Sequence, residues 1–510
     1  MVRIASVHQM TKTLATPLLI VLAIVVLTVP TGHAQDAKAS LDAAATALGV
    51  ASLRTVQFSG WGYDYVFGQS YAGSGAWPRF NLPGYTMTID FAAPAMRDDR
   101  RRTQLEAPPL GGGFQPLSGE QRLIAVVNGA YAWDVVGENA IVPGFRNDRQ
   151  TNVTGRLDHI WMTPHGFVKL AANSTATMRT ETIRGAKKTF VAIVHPTYGR
   201  FEATLNEQSL IERIDRWFGH SVLGDALMEA TFSDYKDFGG VQFPTRILQR
   251  EGGYPLLDLT VTDVRVNLPV ALDVPANIRN APAPTSLVGP PEKLADGVWV
   301  FPTYAKSVAV EFRDHVVVFE AAETEAQSIE VIESVKKTIP GKPIRYLINS
   351  HSHFDHLGGL RTYAAEGAVI VTHRDNIPFY QQLWANSRTI RPDRLSMSGR
   401  AVTLDGVVGT RMMTDGDRRL VIYHYPGNMH NPGMLMVYLP KEKILLEADS
   451  FSPPASPLTS PPNALVNLKH FLDSVDRLQL DVEQVVPVHG RVTTLDEARE
   501  ILMRFGGGVN

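Results

Sequence analysis

Three of the chain's fifteen histidines, His351, His353 and His356, fall within six residues of one another and share that stretch with Asp355. Imidazole nitrogens and carboxylate oxygens are ligands for zinc and similar divalent cations, and a short loop bearing four of them can aim two at one ion and two at a neighbour. The apolar run Tyr346-Leu347-Ile348 leads into the cluster and Gly358-Gly359 follows it. The cluster therefore sits where a predicted strand gives way to a helix, a place where α/β folds collect polar groups for chemistry. One loop cannot close two metal sites, so further ligands are required from other strand ends. The sequence supplies them: His430 in a Gly/Pro-bounded loop, Asp449 at the end of EKILLEAD, and His489 at the end of VEQVVPVHG. With no cysteine in the chain, no thiolate can serve as ligand or nucleophile, and any metal must be held by His and carboxylate.

The elements that position these residues change character along the 510 residues, a length that predicts more than one domain. Arg3 and Lys12 precede an apolar run, Leu18 to Leu27, that ends at Pro30 and small residues before Gln35; this predicts an export leader over residues 1–34, removed near Ala34. Ten apolar residues are well short of the roughly 20 that span a bilayer, so no stable transmembrane anchor is expected after cleavage. An Ala-rich helix follows over Ala37 to Val50. Residues 35–279 are otherwise strand-like, rich in β-branched and aromatic residues with turn signals such as Asn128-Gly129, and predict an antiparallel β-rich domain. In outline this region weakly resembles the half-barrels of periplasmic lipoprotein-carrier proteins. The Pro-rich stretch 280–291 reads as a linker. From 292 to 510, short apolar strands alternate with helices, the pattern of an α/β unit.

In that last region HSHFDHLGG resembles the HxHxDH signature of the metallo-β-lactamase superfamily, HNPG its second histidine motif, EAD its strand-ending aspartate and PVHG its last histidine, in matching order. The resemblance spans about Leu294 to Arg504. It implies an αββα metallo-β-lactamase sandwich with the site along one edge of two packed sheets, so that the whole chain is of mixed α+β and α/β class. It further implies two divalent metal ions, by expectation Zn2+: one held by His351, His353 and His430, the other by Asp355, His356 and His489. Asp449 would bridge them together with a water or hydroxide. Asp355 is also the candidate catalytic residue. Water bound to such ions falls in pKa from 15.7 to about 7, which gives a nucleophile at neutral pH without a protein nucleophile. The missing cysteine excludes the thiolate-using lactamases, while ADSFSP, Ala448 to Pro453, resembles the Asp-Ser segment of the subclass that lacks it. Either Asp449 or Ser450 could then occupy the near-metal position; a carboxylate is the better partner for two hard cations.

Other polar groups have blander readings. His373 and His424 lie near predicted strand ends and read as hydrogen-bonded structural histidines. Asp415-Gly416-Asp417 is a turn signal. Arg100-Arg101-Arg102, preceded by Asp98 and Asp99, reads as a solvated loop or strand end. The segment Asp375 to Arg400 either caps the metal site or packs as a plain helix, and Ser452 to Pro462 either walls the pocket or connects elements.

The functional expectation is an exported, metal-dependent hydrolase, periplasmic or secreted, that cleaves an ester-, lactone- or amide-like bond in a small-molecule substrate. Three alternatives stand beside it: a β-lactamase of the Cys-lacking subclass, an envelope ligand-binding protein with an inactive metal fold, and a redox protein with a single iron. The formal charge moves from −2 to −4 once the leader's two basic residues are removed, so no basic field is available for nucleic acid. An envelope partner, if there is one, falls to the amino-terminal domain.

Overall fold

The computed structural model of the chain describes residues 2–4, 31–136, 139–141, 149–282, 286–453 and 461–507. Apart from Val2–Ile4 and the first residues of a helix that starts at Thr31, the expected leader lies outside the described residues, as does most of Ser452 to Pro462. Among the described residues no helix is long and apolar enough to cross a membrane.

The amino-terminal half is a single 13-stranded antiparallel sheet in which Thr55–Tyr65 pairs with both Arg79–Asp90 and the last strand, Tyr254–Val266. Period-2 alternation sends Val56 and Phe58 inward with Leu82, Met87, Ile89, Leu259 and Val261, and the helices Thr31–Leu48, Arg149–Trp161 and Pro164–Ala171 pack on that core. The arginine run is a strand end, one of its two expected readings, but not a solvated one throughout. It lies inside the strand Ala95–Thr103, and because alternate residues share a face, Arg100 and Arg102 both meet Asp64 at 2.7 and 3.2 Å. Arg102 is 6% exposed, so the pairing makes its burial affordable where a solvated loop would have needed none.

His165 gives this domain an acid limit. The ring is wholly buried and stacked on Phe243, with centroids 5.5 Å apart, and burial pushes its pKa down from 6.5 to about 4. The unfolded chain takes up a proton near pH 6.5 and the folded one only near pH 4, so this contribution to stability is complete above 6.5 and is lost as pH falls toward 4, about 3 kcal/mol in all. Urea unfolding of wild type and His165→Leu at pH 6.5, 5 and 4 is expected to show a shallower acid limb in the variant; parallel limbs would contradict it.

The carboxyl-terminal half is an αββα sandwich. In its first sheet Glu292–Ala295, Val298–Phe301, Ser307–Glu311 and Val316–Phe319 run antiparallel, Ile344–Ile348, Val369–His373 and Val402–Val407 continue in parallel, and Val2–Ile4 lies antiparallel on the outer edge. The second sheet runs Thr410–Thr414, Arg419–His424, Leu435–Leu439, Ile444–Glu447, Gln484–Pro487 and Thr493–Thr494. Strands buried on both faces are near-continuously apolar. Val317 and Phe319 face the second sheet, where Leu420, Ile422, Leu435, Val437 and Leu446 meet them, while Val316 and Val318 face the outer helix Glu325–Thr338 through Val331, Ile332 and Val335. Helices Leu465–Arg477 and Leu495–Phe505 cover the far side on Met436, Leu445 and Val485. The two inner faces hold the strands in register at their ends, and the polar loops gather at one edge.

Candidate metal centre

All seven sequence-predicted ligand residues meet at that edge. The strand Ile344–Ile348 ends in a buried loop whose shape is set by hydrogen bonds: Asn349 Nδ2 donates to the His356 carbonyl at 3.1 Å and the Tyr380 hydroxyl to the His351 carbonyl at 3.0 Å. Gly358 then lets the chain pass close to its neighbour, since a Cβ there would lie 1.9 Å from the Glu323 carbonyl oxygen. His430 is fixed by its backbone N–H donating to Asn428 Oδ1 at 2.7 Å, and His489 by its Nδ1 donating to the Tyr304 carbonyl at 2.9 Å. Asp449 follows Ile444–Glu447 with φ +58°, a left-handed conformation that costs a non-glycine residue energy and is typical of sites where aim outweighs comfort.

The donors fall into two overlapping groups, His351, His353, His430 and Asp449, and Asp355, His356, Asp449 and His489; within each, one ligand atom per residue lies within 4.8 Å of every other. Asp449 belongs to both. Its Oδ2 is 3.1 Å from His430 Nε2, 3.3 Å from His356 Nε2 and 3.6 Å from His351 Nε2, and its Oδ1 is 3.3 Å from His489 Nε2. Ser450 turns away, its Oγ bonded to the Tyr425 hydroxyl at 2.8 Å and receiving Asn428 Nδ2 at 3.1 Å. Three buried atoms facing this space, His353 Nδ1, His489 Nε2 and Asp449 Oδ1, have no aligned hydrogen bond, although the last two lie at ion-pair distance. Leaving such atoms unsatisfied costs about 1–3 kcal/mol each. A divalent cation would satisfy all three, so the donor set fits one.

The electrostatics agree. Burial, with the neighbouring His356 and His353, holds His351 well below its usual pKa, and burial pushes His353 down to about 3, so both present neutral rings, the ligand form. Burial alone would lift the carboxyls of Asp355 and Asp449, yet the adjoining His356 and His489 hold both well below the usual carboxylate range. Burial acts to depress His356 too, but Asp449, Asp355 and Glu320 raise it well above 6.5.

Glu320 was not read from the sequence as part of the site. It is fully buried at the end of Val316–Phe319, with φ +63°, its Oε1 taking the Ser350 N–H and its Oε2 lying 3.2 Å from His356 Nδ1. Its only signal was the glutamate that closes the apolar run HVVVFE, the same strand-end logic that revealed Asp449. His373 and His424 stay outside both groups, their rings tilted against each other with centroids 4.1 Å apart and His424 Nε2 donating to the Pro432 carbonyl. Asp415 caps its own turn through the Asp417 and Arg418 N–H groups.

The centre opens into a cavity of about 1210 Å³ between the two halves, lined by Phe67, Phe218 and His220 on one side and Asp355, Asp449 and His489 on the other. The segment Asp375 to Arg400 forms part of its wall through Arg388 and Arg391.

A sandwich of this kind with such a site defines a metal-dependent hydrolase. Residues 301–497 match the sequence model of the metallo-beta-lactamase superfamily, and this part of the chain belongs to it. Solved structures with a similar fold include a metallo-beta-lactamase from Pontibacter korlensis (21% identity, TM-score 0.34, 43% of this chain and 99% of that one), one from Hirschia baltica (21%, 0.33, 42% and 96%) and the metallo-beta-lactamase FIM-1 from Pseudomonas aeruginosa in its mono-zinc form (21%, 0.33, 44% and 96%). No curated protein matches the chain.

Proposed function

We propose that the protein is an exported hydrolase with a dinuclear zinc centre, in which His351, His353 and His430 hold one ion, Asp355, His356 and His489 the other, and Asp449 both. The observation that carries this reading is the single Asp449 carboxylate shared by two complete donor groups. When bound, the cations supply Lewis acidity and a water acidified to near-neutral pKa. The chain's own residues keep the site in order: Glu320 holds His356 Nδ1, the Tyr304 carbonyl holds His489 Nδ1, and Asp355, kept ionised, faces the cavity. Phe67, Phe218, Phe354, Phe451, Leu465 and Leu468 give the cavity an apolar wall, which supports a substrate with a bulky apolar body beside an ester-, lactone- or amide-like bond. Export rests on the leader pattern of residues 1–34. The β-lactam alternative leaned on Ser450 at the near-metal position, and the bonding of its Oγ to Tyr425 and Asn428 favours the broader reading.

The test is metal content together with turnover. Purified protein is expected to hold two equivalents of zinc and to hydrolyse members of a panel of lactones, β-lactams, aryl esters, sulfates and phosphodiesters, and His351→Ala to lose at least one equivalent and turnover with it. A chain that takes up no divalent metal yet binds a ligand through residues 35–279 would overturn the proposal in favour of a binding module.

A further inference from the structure

The loop that follows Thr55–Tyr65 leaves the amino-terminal sheet and enters the outer side of the metal centre. Phe67 packs edge-on against Phe354, centroids 5.3 Å apart, and the Gly68 carbonyl accepts the Phe354 N–H at 3.1 Å. The next two residues touch ligands. The Ser70 carbonyl accepts from His353 Nε2 at 2.9 Å, which places the ring proton on Nε2 and leaves Nδ1, buried and without a partner, facing the centre with its lone pair. Gln69 Nε2 donates to Asp355 Oδ1 at 2.8 Å, which fixes the carboxyl so that Oδ2 lies 3.3 Å from His489 Nε2 and 3.6 Å from His356 Nε2. The loop is itself pinned from behind, where Gly112 N–H donates to the Gln69 carbonyl at 3.0 Å and Gly111 N–H to the Met429 carbonyl at 2.9 Å. One residue of each donor group is thus oriented from outside the sandwich.

We propose that the amino-terminal domain is an integral part of the metal centre, with Gln69 a positioning residue that sets the Asp355 carboxyl and Ser70 the group that sets the His353 tautomer. Outer partners of metal ligands typically change metal affinity 10- to 100-fold when lost, because the ligand must then be ordered at the moment of binding. The inference rests on the seven-ligand reading above. It goes further, since it makes the second domain part of metal binding.

Zinc titration calorimetry on the full chain tests it, with Co2+ absorption as a spectroscopic signature. Wild type is expected to bind two equivalents, and Gln69→Leu to bind one of them about tenfold more weakly, with the Co2+ spectrum of that ion alone altered. Gly112→Ala gives an independent route, because its Cβ would lie 1.8 Å from Gln69 Oε1 and 3.0 Å from His353 Cε1 while its backbone lies outside the left-handed region. A flexible side-chain end yields before the fold does, so this variant is expected to fold and to bind zinc more weakly. A merely structural loop would lower the melting temperature of the metal-free variants and leave zinc affinity unchanged, which would overturn the inference. Should Gln69→Leu fail to fold, unchanged affinity in Gly112→Ala overturns it equally. Wild type that binds no zinc would instead sink the seven-ligand reading itself.

Discussion

Asp449→Asn is expected to strip the centre of at least one cation and to cut hydrolytic turnover by about a thousandfold. No other residue belongs to both donor groups: its Oδ2 faces His351 and His430 of one and His356 of the other, and its Oδ1 faces His489. An amide keeps the volume but loses the charge and one acceptor, so the ion at His351, His353 and His430 loses its only anionic ligand and the other is left with Asp355 alone. Lewis-acid stabilisation by a bound ion is worth several kcal/mol, and each 1.36 kcal/mol is tenfold in rate, which yields the thousandfold figure. The fold should survive, because asparagine tolerates the left-handed φ of +58° at this position about as well as aspartate does. Elemental analysis, turnover and circular dichroism on one preparation decide the matter. A variant with two zinc equivalents and wild-type turnover would show that Asp449 is not the shared ligand. Ser450→Ala is the matched control: its hydroxyl serves Tyr425 and Asn428, and the change is expected to leave metal content intact.

How far the sequence disclosed this centre follows from the range over which each residue acts. His351, His353, Asp355 and His356 are close in the chain, so their geometry is nearly local and their spacing speaks for itself. His430, Asp449 and His489 are scattered but obey one rule, a polar residue where an apolar strand stops, and two packed sheets bring such ends to one edge. The mixed fold class was legible for the same reason, since alternation and apolar runs report which faces are buried. Glu320 obeyed the rule as well and was passed over because a lone glutamate after a strand has no spacing partner. The Ser70 and Tyr304 carbonyls could not be read, for backbone acceptors carry no side-chain signature. Gln69 lies 286 residues from Asp355, and nothing local links them. The arginine run misled because charge in a row suggests solvent, whereas the pleat separated Arg100 and Arg102 onto the face that carries Asp64.

The sequence of Asp375 to Arg400 allows either a cap or a packing helix, and the structure of this segment carries the second large effect. Helix Ile377–Ala385 buries Phe379 and Tyr380 in the sandwich, while the residues after it reach the other domain. Arg388 donates to three carbonyls where the strand Ile211–His220 runs into its turn, those of His220, Ser221 and Val222, at 3.1, 2.9 and 2.8 Å. Asp225 of the amino-terminal domain answers by accepting the N–H groups of Thr389 and Ile390, each at 2.9 Å. Burial lowers the Arg388 pKa only to about 10, so the guanidinium stays charged at neutral pH, and its side chain is just 4% exposed. Arg388→Leu therefore leaves three carbonyls short of their donor and Asp393 without one of its cations, at about 1–3 kcal/mol for each unsatisfied group. Allowing for water at the rim, a loss of about 4 kcal/mol in the docking of the two halves is expected. Because the same interface holds Gln69 and Ser70 against the metal centre, undocking and weakened zinc binding should appear together. Calorimetric melting that splits from one transition into two, with faster tryptic cleavage between the halves, is the expected result; a single transition at the wild-type temperature would place the coupling elsewhere.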